Sequence, residues 1–329
     1  MTEALLEYVL FLAKTVTLVA AVTFVVGLVM NASRRTREGE GLKVTNLNSR
    51  FRQAADGLRQ ALLPKAQRKQ LAKQRKQEAK AEKERRRKRV FVIDFRGDIR
   101  ASASASLREE VSAVLAVAEQ GDEVLVRLEN AGGLVHEHGL AASQLARVRE
   151  RGIPLTVAVD KVAASGGYLM ACIADRIIAA PFAIVGSIGV LAQIPNFRRM
   201  LDERGVTVEQ VKAGRFKRTV SMFGEVTDED RDKLREELEE VHALFQAMVA
   251  KYRPALDLEK VATGEYWYGT RALELGLVDE LGTSDDWLTK LVGEADAWRV
   301  EWRGPKRLWE KLAAAMEEGS AGGWLQRWH

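Results

Sequence analysis

From Val90 onward the chain alternates short apolar runs with segments of helical period, and few architectures accept that pattern. Val90 to Phe95, Val124 to Leu128, Leu155 to Val159 and Arg176 to Ala180 are rich in β-branched and large apolar residues. Between them, Leu107 to Ala118 places Leu107, Val111, Val114, Leu115 and Ala118 on one helical face, and Gly139 to Val148 and Leu169 to Ala174 are helical in composition. Strands that alternate with helices across short connections cannot pair as hairpins. They predict a parallel α/β sheet. Ile184 to Val190 is a further strand-like run, broken by glycines. Phe197 to Glu203 reads as a short helix and Val206 to Val211 as another strand. Past Lys217 the composition turns helical. Thr227-Asp228-Glu229-Asp230 has the form of a helix start, followed by a periodic segment through Tyr252 that stops before Pro254. Arg271 to Asp279 reads as a short helix, a glycine stop and a strand.

The N-terminal part is of another kind. Thr15 to Ser33 carries no charge, and the apolar pattern extends back to Val9. Because roughly 20 apolar residues cross a bilayer core as a helix, Val9 to Met30 is expected to be a single span. A cleaved signal peptide fits badly: Glu3 and Glu7 stand where basic residues belong, and no A-x-A site follows closely. The net charge of +5 is unevenly distributed. Residues 31–89 hold 20 Lys+Arg against 6 Asp+Glu, whereas the remainder holds 31 against 40. The basic character therefore belongs to one segment beside the span, and the folded part is acidic, which argues against nucleic-acid binding. Lys65 to Arg89, without Gly or Pro and without an apolar stripe, is a solvated helix or linker that suits anionic headgroups. The expected organisation is an anchor at 1–33, a basic linker at 34–89, an α/β domain at 90–285 and a helical tail at 286–329. Arg34, Arg35 and Arg37 after the span would keep the folded part in the cytoplasm by the charge rule.

Three glycine-containing turns follow strands at corresponding places: Asn130-Ala131-Gly132-Gly133, Ser165-Gly166-Gly167 and Gly186-Ser187-Ile188-Gly189. Sites in parallel sheets form beyond the carboxyl ends of strands. None of these turns has the spacing of a phosphate cradle. Ser165, on a tight strand-to-helix turn, is either a helix N-cap or an exposed nucleophile. Gly132-Gly133 offers backbone N–H groups to an oxyanion. A nucleophilic serine needs a base. His136 and His138 are the histidines near a site loop, and both are expected on the surface at the start of a helix. Lys217 is the lysine candidate, just after Gly214 with Phe216 beside it; a lysine serves as base only when neutral, which requires desolvation. The lone Cys172 lies in an apolar segment and is expected to be buried packing. No Cys/His cluster has metal spacing, so no metal is expected.

Several of these segments together resemble the signal peptide peptidase A family, peptidase family S49. Asp160-Lys161-Val162-Ala163-Ala164-Ser165-Gly166-Gly167-Tyr168 looks like the family's nucleophile motif. Lys217, 52 residues on, falls where the family has its general base. Ser187 matches the serine that orients that lysine, and Gly132-Gly133 matches the oxyanion loop. Trp267-Tyr268-Gly269 and Ala272 to Asp279 match a C-terminal signature. The resemblance implies a ClpP/crotonase-like spiral of ββα units behind an N-terminal transmembrane helix. It implies a serine endopeptidase with Ser165 as nucleophile, Lys217 as base, Ser187 orienting it, and the backbone near Gly133 and Gly166 as oxyanion hole. It further implies extended apolar peptides as substrates, no cofactor, self-association, and an inner-membrane location with the domain in the periplasm, against the charge rule. One departure stands out: relatives usually carry Ser-Pro where this chain has Asn130-Ala131, so the rigid φ of proline is missing. A proteolytically silent scaffold on the same fold, or a crotonase-like acyl-coenzyme A enzyme, are the competing expectations.

Overall fold

The computed structural model describes residues 8–20, 23, 41–64, 67–68, 87–217 and 219–304. They divide into a unit spanning Val44–Glu301 and a second made of the flanking residues toward both termini. Residues 8–20 are helical, and among the described residues no helix is long and apolar enough to cross a membrane. The rest of the expected span, apart from Thr23, lies outside the described residues, as does the expected tail beyond residue 304.

The larger unit is an α/β structure. The chain runs through β1 (Gly41–Asn46), α1 (Leu47–Leu62), β2 (Lys88–Arg96), α2 (Ser104–Val117), β3 (Glu123–Glu129), α3 (Val135–Glu150), β4 (Leu155–Val159), β5 (Val162–Ala164), α4 (Gly166–Ala171), β6 (Arg176–Ala179) and β7 (Ile184–Gly186). It continues with α5 (Arg198–Asp202), α6 (Asp228–Tyr252), α7 (Leu258–Val261), β8 (Tyr266–Tyr268), α8 (Gly269–Glu274), β9 (Glu280–Leu281), α9 (Ser284–Val292) and β10 (Ala295–Arg303). A seven-stranded sheet has the order β1-β10-β2-β3-β4-β6-β9, and its pairs from β10 through β9 are parallel. A second sheet has the order β5-β7-β8.

The short β5 and β7 place the site. Each follows a strand of the large sheet after a bend, and the two pair parallel with Ala164 opposite Gly186. The chain thus runs strand, strand, helix from β4 through α4. Both faces of the large sheet are covered, so its central strands read as continuous apolar runs: every residue of β4 is buried. On one face Ile93, Val126, Val157 and Ile177 pack against α2, α3 and α4 through Val111, Leu145 and Met170. On the other, Val92, Leu125 and Ala158 meet Leu47, Leu288 and Ala297. Helix α6 starts with a capping box: Thr227 Oγ1 accepts from Asp230 N–H, and the Asp230 carboxylate accepts from Thr227 N–H.

Three expectations change. The basic stretch 34–89 contains β1 and α1 rather than linker throughout. Asn48, fully buried, donates from Nδ2 to Ala295 O and accepts Ala297 N–H, so α1 is tied to β10 by a matched pair of hydrogen bonds. The expected domain limit at 285 falls inside α9, and β10 then pairs with β2 in the sheet, where helix was expected. Its sequence conceals a strand because charged and aromatic residues alternate with the buried Ala295, Ala297 and Val300. Val206 to Val211, expected as a strand, is without regular structure. Its β-branched residues have no partner strand, and β propensity expresses itself only against one; Val211 is 97% exposed.

Candidate active site

Strands β3, β5 and β7 end side by side, and the three glycine turns follow them. Asn130, the first residue after β3, forms a parallel bridge with Ala163 of β5, while Ala164 of β5 faces Gly186 of β7. Ser165 N–H donates to Gly186 O at 2.8 Å, which locks the second turn to the third. Gly132 of the first turn lies directly against Ser165: a Cβ placed on it would stand 2.8 Å from Ser165 Cβ and 2.9 Å from Gly166 N. The backbone of Gly167 is packed onto the carbonyl of Asn130 with no room for a side chain. Small residues in these turns are therefore what allows three strand ends to meet.

Ser165 occupies the residue before α4, yet its side chain makes no capping hydrogen bond. Its backbone sits at φ 53° and ψ −120°, in the region that only glycine enters without strain. Half-buried Ser165 therefore does not act as the helix cap. Gly166 N–H is the first amide of α4 and has no intrahelical acceptor. Gly133, at φ 157°, packs on the backbone of Ile99, whose carbonyl accepts Leu134 N–H at 2.8 Å. Among the described residues no acceptor is recorded for Gly133 N–H.

Ser187 lies beside this group. It too has a positive φ, 53°; its N–H donates to Glu265 O at 2.6 Å and its Oγ to Gly264 O at 3.2 Å. The ring of Trp267 packs on Gly186, which explains why the Trp267-Tyr268-Gly269 segment belongs to the site's framework.

Lys217 makes no hydrogen bond to this group among the described residues. It is exposed, in a turn where its N–H donates to Gly214 O. Phe216 does not enclose it: that ring is 40% exposed, with Arg215 and Lys233 over its face. Lys217 belongs to residues 190–226, where among the described residues only α5 is regular and Leu191, Val211, Phe216 and Phe223 are exposed. The other lysine near the turn, Lys161, pairs with Glu129 at 3.0 Å.

His138 corrects an expectation. His136 is on the surface, whereas His138 is completely buried, its ring against Gly166. Nδ1 lies 3.0 Å from Leu134 O and Nε2 lies 3.2 Å from Asn130 Oδ1. Both ring nitrogens are engaged, so neither is available to Ser165 as a base. The sequence signal was position alone: His138, Ala141, Ala142 and Leu145 share one face of α3, and that face is internal. Cys172 is buried as expected, and burial pushes its thiol up to about 12.

Comparison with known proteins decides the family. The model for the Peptidase family S49 N-terminal region matches residues 3–145, and that for Peptidase family S49 matches residues 147–297. The chain belongs to peptidase family S49. A "Probable protease SohB" of Haemophilus influenzae is 44% identical over 335 residues, covering 97% of this chain and 95% of that protein. A protein of the same name from Buchnera aphidicola subsp. Acyrthosiphon pisum is 50% identical over 230 residues, 70% of this chain and 68% of that protein. Among solved structures, a 1510-N membrane-bound stomatin-specific protease is 13% identical with a TM-score of 0.38, covering 63% of this chain and 85% of that one. The last similarity is too low to carry weight.

Proposed function

We propose that this S49 peptidase is a membrane-anchored serine endopeptidase in which Ser165 attacks the scissile carbonyl and Lys217 takes its proton. The observation that carries the proposal is the backbone of Ser165: a strained, uncapped serine at a strand-to-helix turn, with Gly132 of the neighbouring turn against it. The N–H groups of Gly133 and Gly166 would hold the oxyanion; the unpaired first amide of α4 beside Ser165 supports this over a silent scaffold. Ser165 Oγ forms a bond to the carbonyl carbon as its proton passes to the neutral amine of Lys217. The tetrahedral intermediate collapses with expulsion of the peptide amine, which receives that proton. Lys217 then activates water to cleave the acyl-enzyme. Ser187 orients the lysine. Lys217 reaches Ser165 by movement of residues 190–226 or from a neighbouring copy, and the exposed apolar residues of that segment suit a self-associated enzyme.

Extended apolar peptides, such as remnants of signal peptides, fit an enzyme held at the membrane. The uncharged run Thr15 to Ser33 supports an inner-membrane anchor. The strand, strand, helix succession from β4 through α4 is what a ClpP/crotonase-like spiral would present. We infer a periplasmic domain from the family, since long domains translocate despite flanking charge.

The test is hydrolysis of a fluorogenic apolar peptide by the full chain in detergent. Ser165→Ala and Lys217→Ala should each abolish turnover while the protein stays folded. Retention of wild-type turnover by either variant refutes the dyad. Mixing the two inactive variants restores activity only if the pair forms across copies.

A further inference from the structure

The buried His138 is unused by the mechanism above, and its partners show what it does. Asn130 is 1% exposed; its Oδ1 accepts Gly132 N–H at 2.9 Å and lies 3.2 Å from His138 Nε2. The Gly132 contact settles which atom of the amide is oxygen, because an N–H needs an acceptor there. Nδ1 also faces an acceptor, Leu134 O at 3.0 Å, and a neutral ring carries one proton, so His138 donates to Asn130 in its Nε2–H tautomer. The other end of the Asn130 amide, Nδ2, points at Met170 Sδ of α4 at 3.4 Å. The backbone of Asn130 is fixed as well: its N–H donates to Val162 O at 2.9 Å and its carbonyl accepts Ala164 N–H at 3.0 Å. Gly97 packs on the side-chain amide from the remaining side, with no room for a Cβ. The amide of Asn130 therefore has one orientation, and Gly132 N–H is held by it.

We propose that Asn130 and His138 are positioning residues, a His138–Asn130–Gly132 hydrogen-bond chain that holds the oxyanion loop over Ser165. Asn130 restrains the loop two residues on through a side-chain acceptor. His138 adds a second function by contact. Its ring rests on Gly166, so one side chain touches both the turn that carries the nucleophile and the residue that anchors the oxyanion loop. Gly132 N–H is consumed in this role, which leaves Gly133 N–H as the loop's donor to substrate. The inference rests on Ser165 acting as nucleophile.

The experiment compares Asn130→Asp, Asn130→Ala, His138→Phe and the double variant Asn130→Ala/His138→Phe in the full-length enzyme, with a fluorogenic apolar peptide. Asn130→Asp keeps an acceptor for both donors but buries a charge, so its kcat should fall yet stay above that of Asn130→Ala. Asn130→Ala and His138→Phe should each lower kcat about 10- to 100-fold, the scale on which small misplacements cost rate, with KM unchanged. The double variant should lose no more than the worse single variant, since both break one chain. In the unaltered protein, Gly132 N–H should exchange with deuterium at least about tenfold more slowly than Gly133 N–H. Wild-type kcat in Asn130→Ala or His138→Phe, multiplicative losses in the double variant, or equal exchange at the two glycines overturns the proposal. The exchange measurement decides the matter if a variant does not fold. Ser165→Ala separates this inference from the one beneath it: an active Ser165→Ala refutes the nucleophile, whereas an inactive one beside a fully active Asn130→Ala refutes only the strut.

Discussion

Replacing Gly132 by alanine tests the packing that brings the loop onto Ser165. Gly132 has φ 90°, and an added Cβ would stand 2.8 Å from Ser165 Cβ, 2.9 Å from Gly166 N and 3.0 Å from Ala164 O. Two costs add. A non-glycine residue at such a φ costs about 1–3 kcal/mol. Forcing a methyl into a filled site costs about 1–3 kcal/mol more, because two of the three obstacles are backbone atoms that cannot swing aside. The expected loss is about 2–6 kcal/mol, which in a domain of this size lowers Tm by about 5–20 °C. Two other glycines separate the terms. Gly121 has φ 95° and open space around it, so Gly121→Ala carries the strain without the crowding. Gly139 lies inside α3 with nothing near its Cβ position, so Gly139→Ala should stabilise by about 0.5–1 kcal/mol. Denaturant unfolding of the three variants gives the comparison. The difference between Gly132→Ala and Gly121→Ala is the crowding term, about 1–3 kcal/mol. If the protein instead relaxes by shifting the loop, kcat should fall about 100-fold. Gly132→Ala that is no less stable than Gly121→Ala and retains full activity would refute the close approach of loop and nucleophile.

Further outcomes follow from single buried or hydrogen-bonded groups. Cys172, buried with its thiol pushed up to about 12, should resist a thiol reagent at about pH 8 in the folded protein and react fully in concentrated guanidinium; fast native labelling would contradict its burial. Asp98 accepts from the N–H and hydroxyl of Ser102 and from Arg100 N–H, and the Ser102 backbone bond is the main cause of a carboxyl held below its ordinary 3.8. Because the folded value is the lower one, this contribution is complete above pH 3.8 and disappears as pH falls through the folded value. The Tm gap between wild type and Asp98→Asn should therefore be constant near neutrality and close only in acid; a gap that widens in acid would reverse the sign. Tyr168 is fully buried and its hydroxyl donates to Leu277 O at 2.9 Å, so Tyr168→Phe should cost about 1–3 kcal/mol in denaturant unfolding. No measurable cost would mean that the Leu277 carbonyl finds another donor.

Much of this organisation was legible because it is local. The apolar runs at Val90, Val124, Leu155 and Arg176 and the helical period from Leu107 specify a parallel α/β sheet without any tertiary information, since burial on both faces writes itself into consecutive residues. The burial of Cys172 and the helix start at Thr227 were legible for the same reason. The three glycine turns could be named as a group because each follows a strand. Strand β10 escaped because its buried residues are mostly alanines set among charges, and a strand of that composition declares itself only when β2 lies beside it. The Val206 to Val211 stretch erred in the opposite direction, β-branched residues with no partner to pair with.

What the sequence determined alone is the list of parts: a serine at a strand-to-helix turn, glycines able to approach it, a lysine 52 residues on, and an uncharged N-terminal run. What only the tertiary structure decided is how those parts are used. Whether Ser165 caps its helix or stands free depends on a backbone angle set by β5 pairing with β7, and the angle leaves it free. Whether His138 is a surface residue or a strut depends on which side of α3 faces Gly166. Spacing along a chain fixes which residues can share a turn or a face, but hydrogen bonds between segments far apart in sequence depend on how strands and helices pack. Asn130, ordinary as a letter, takes its role from Gly132, His138 and Met170 meeting around one amide.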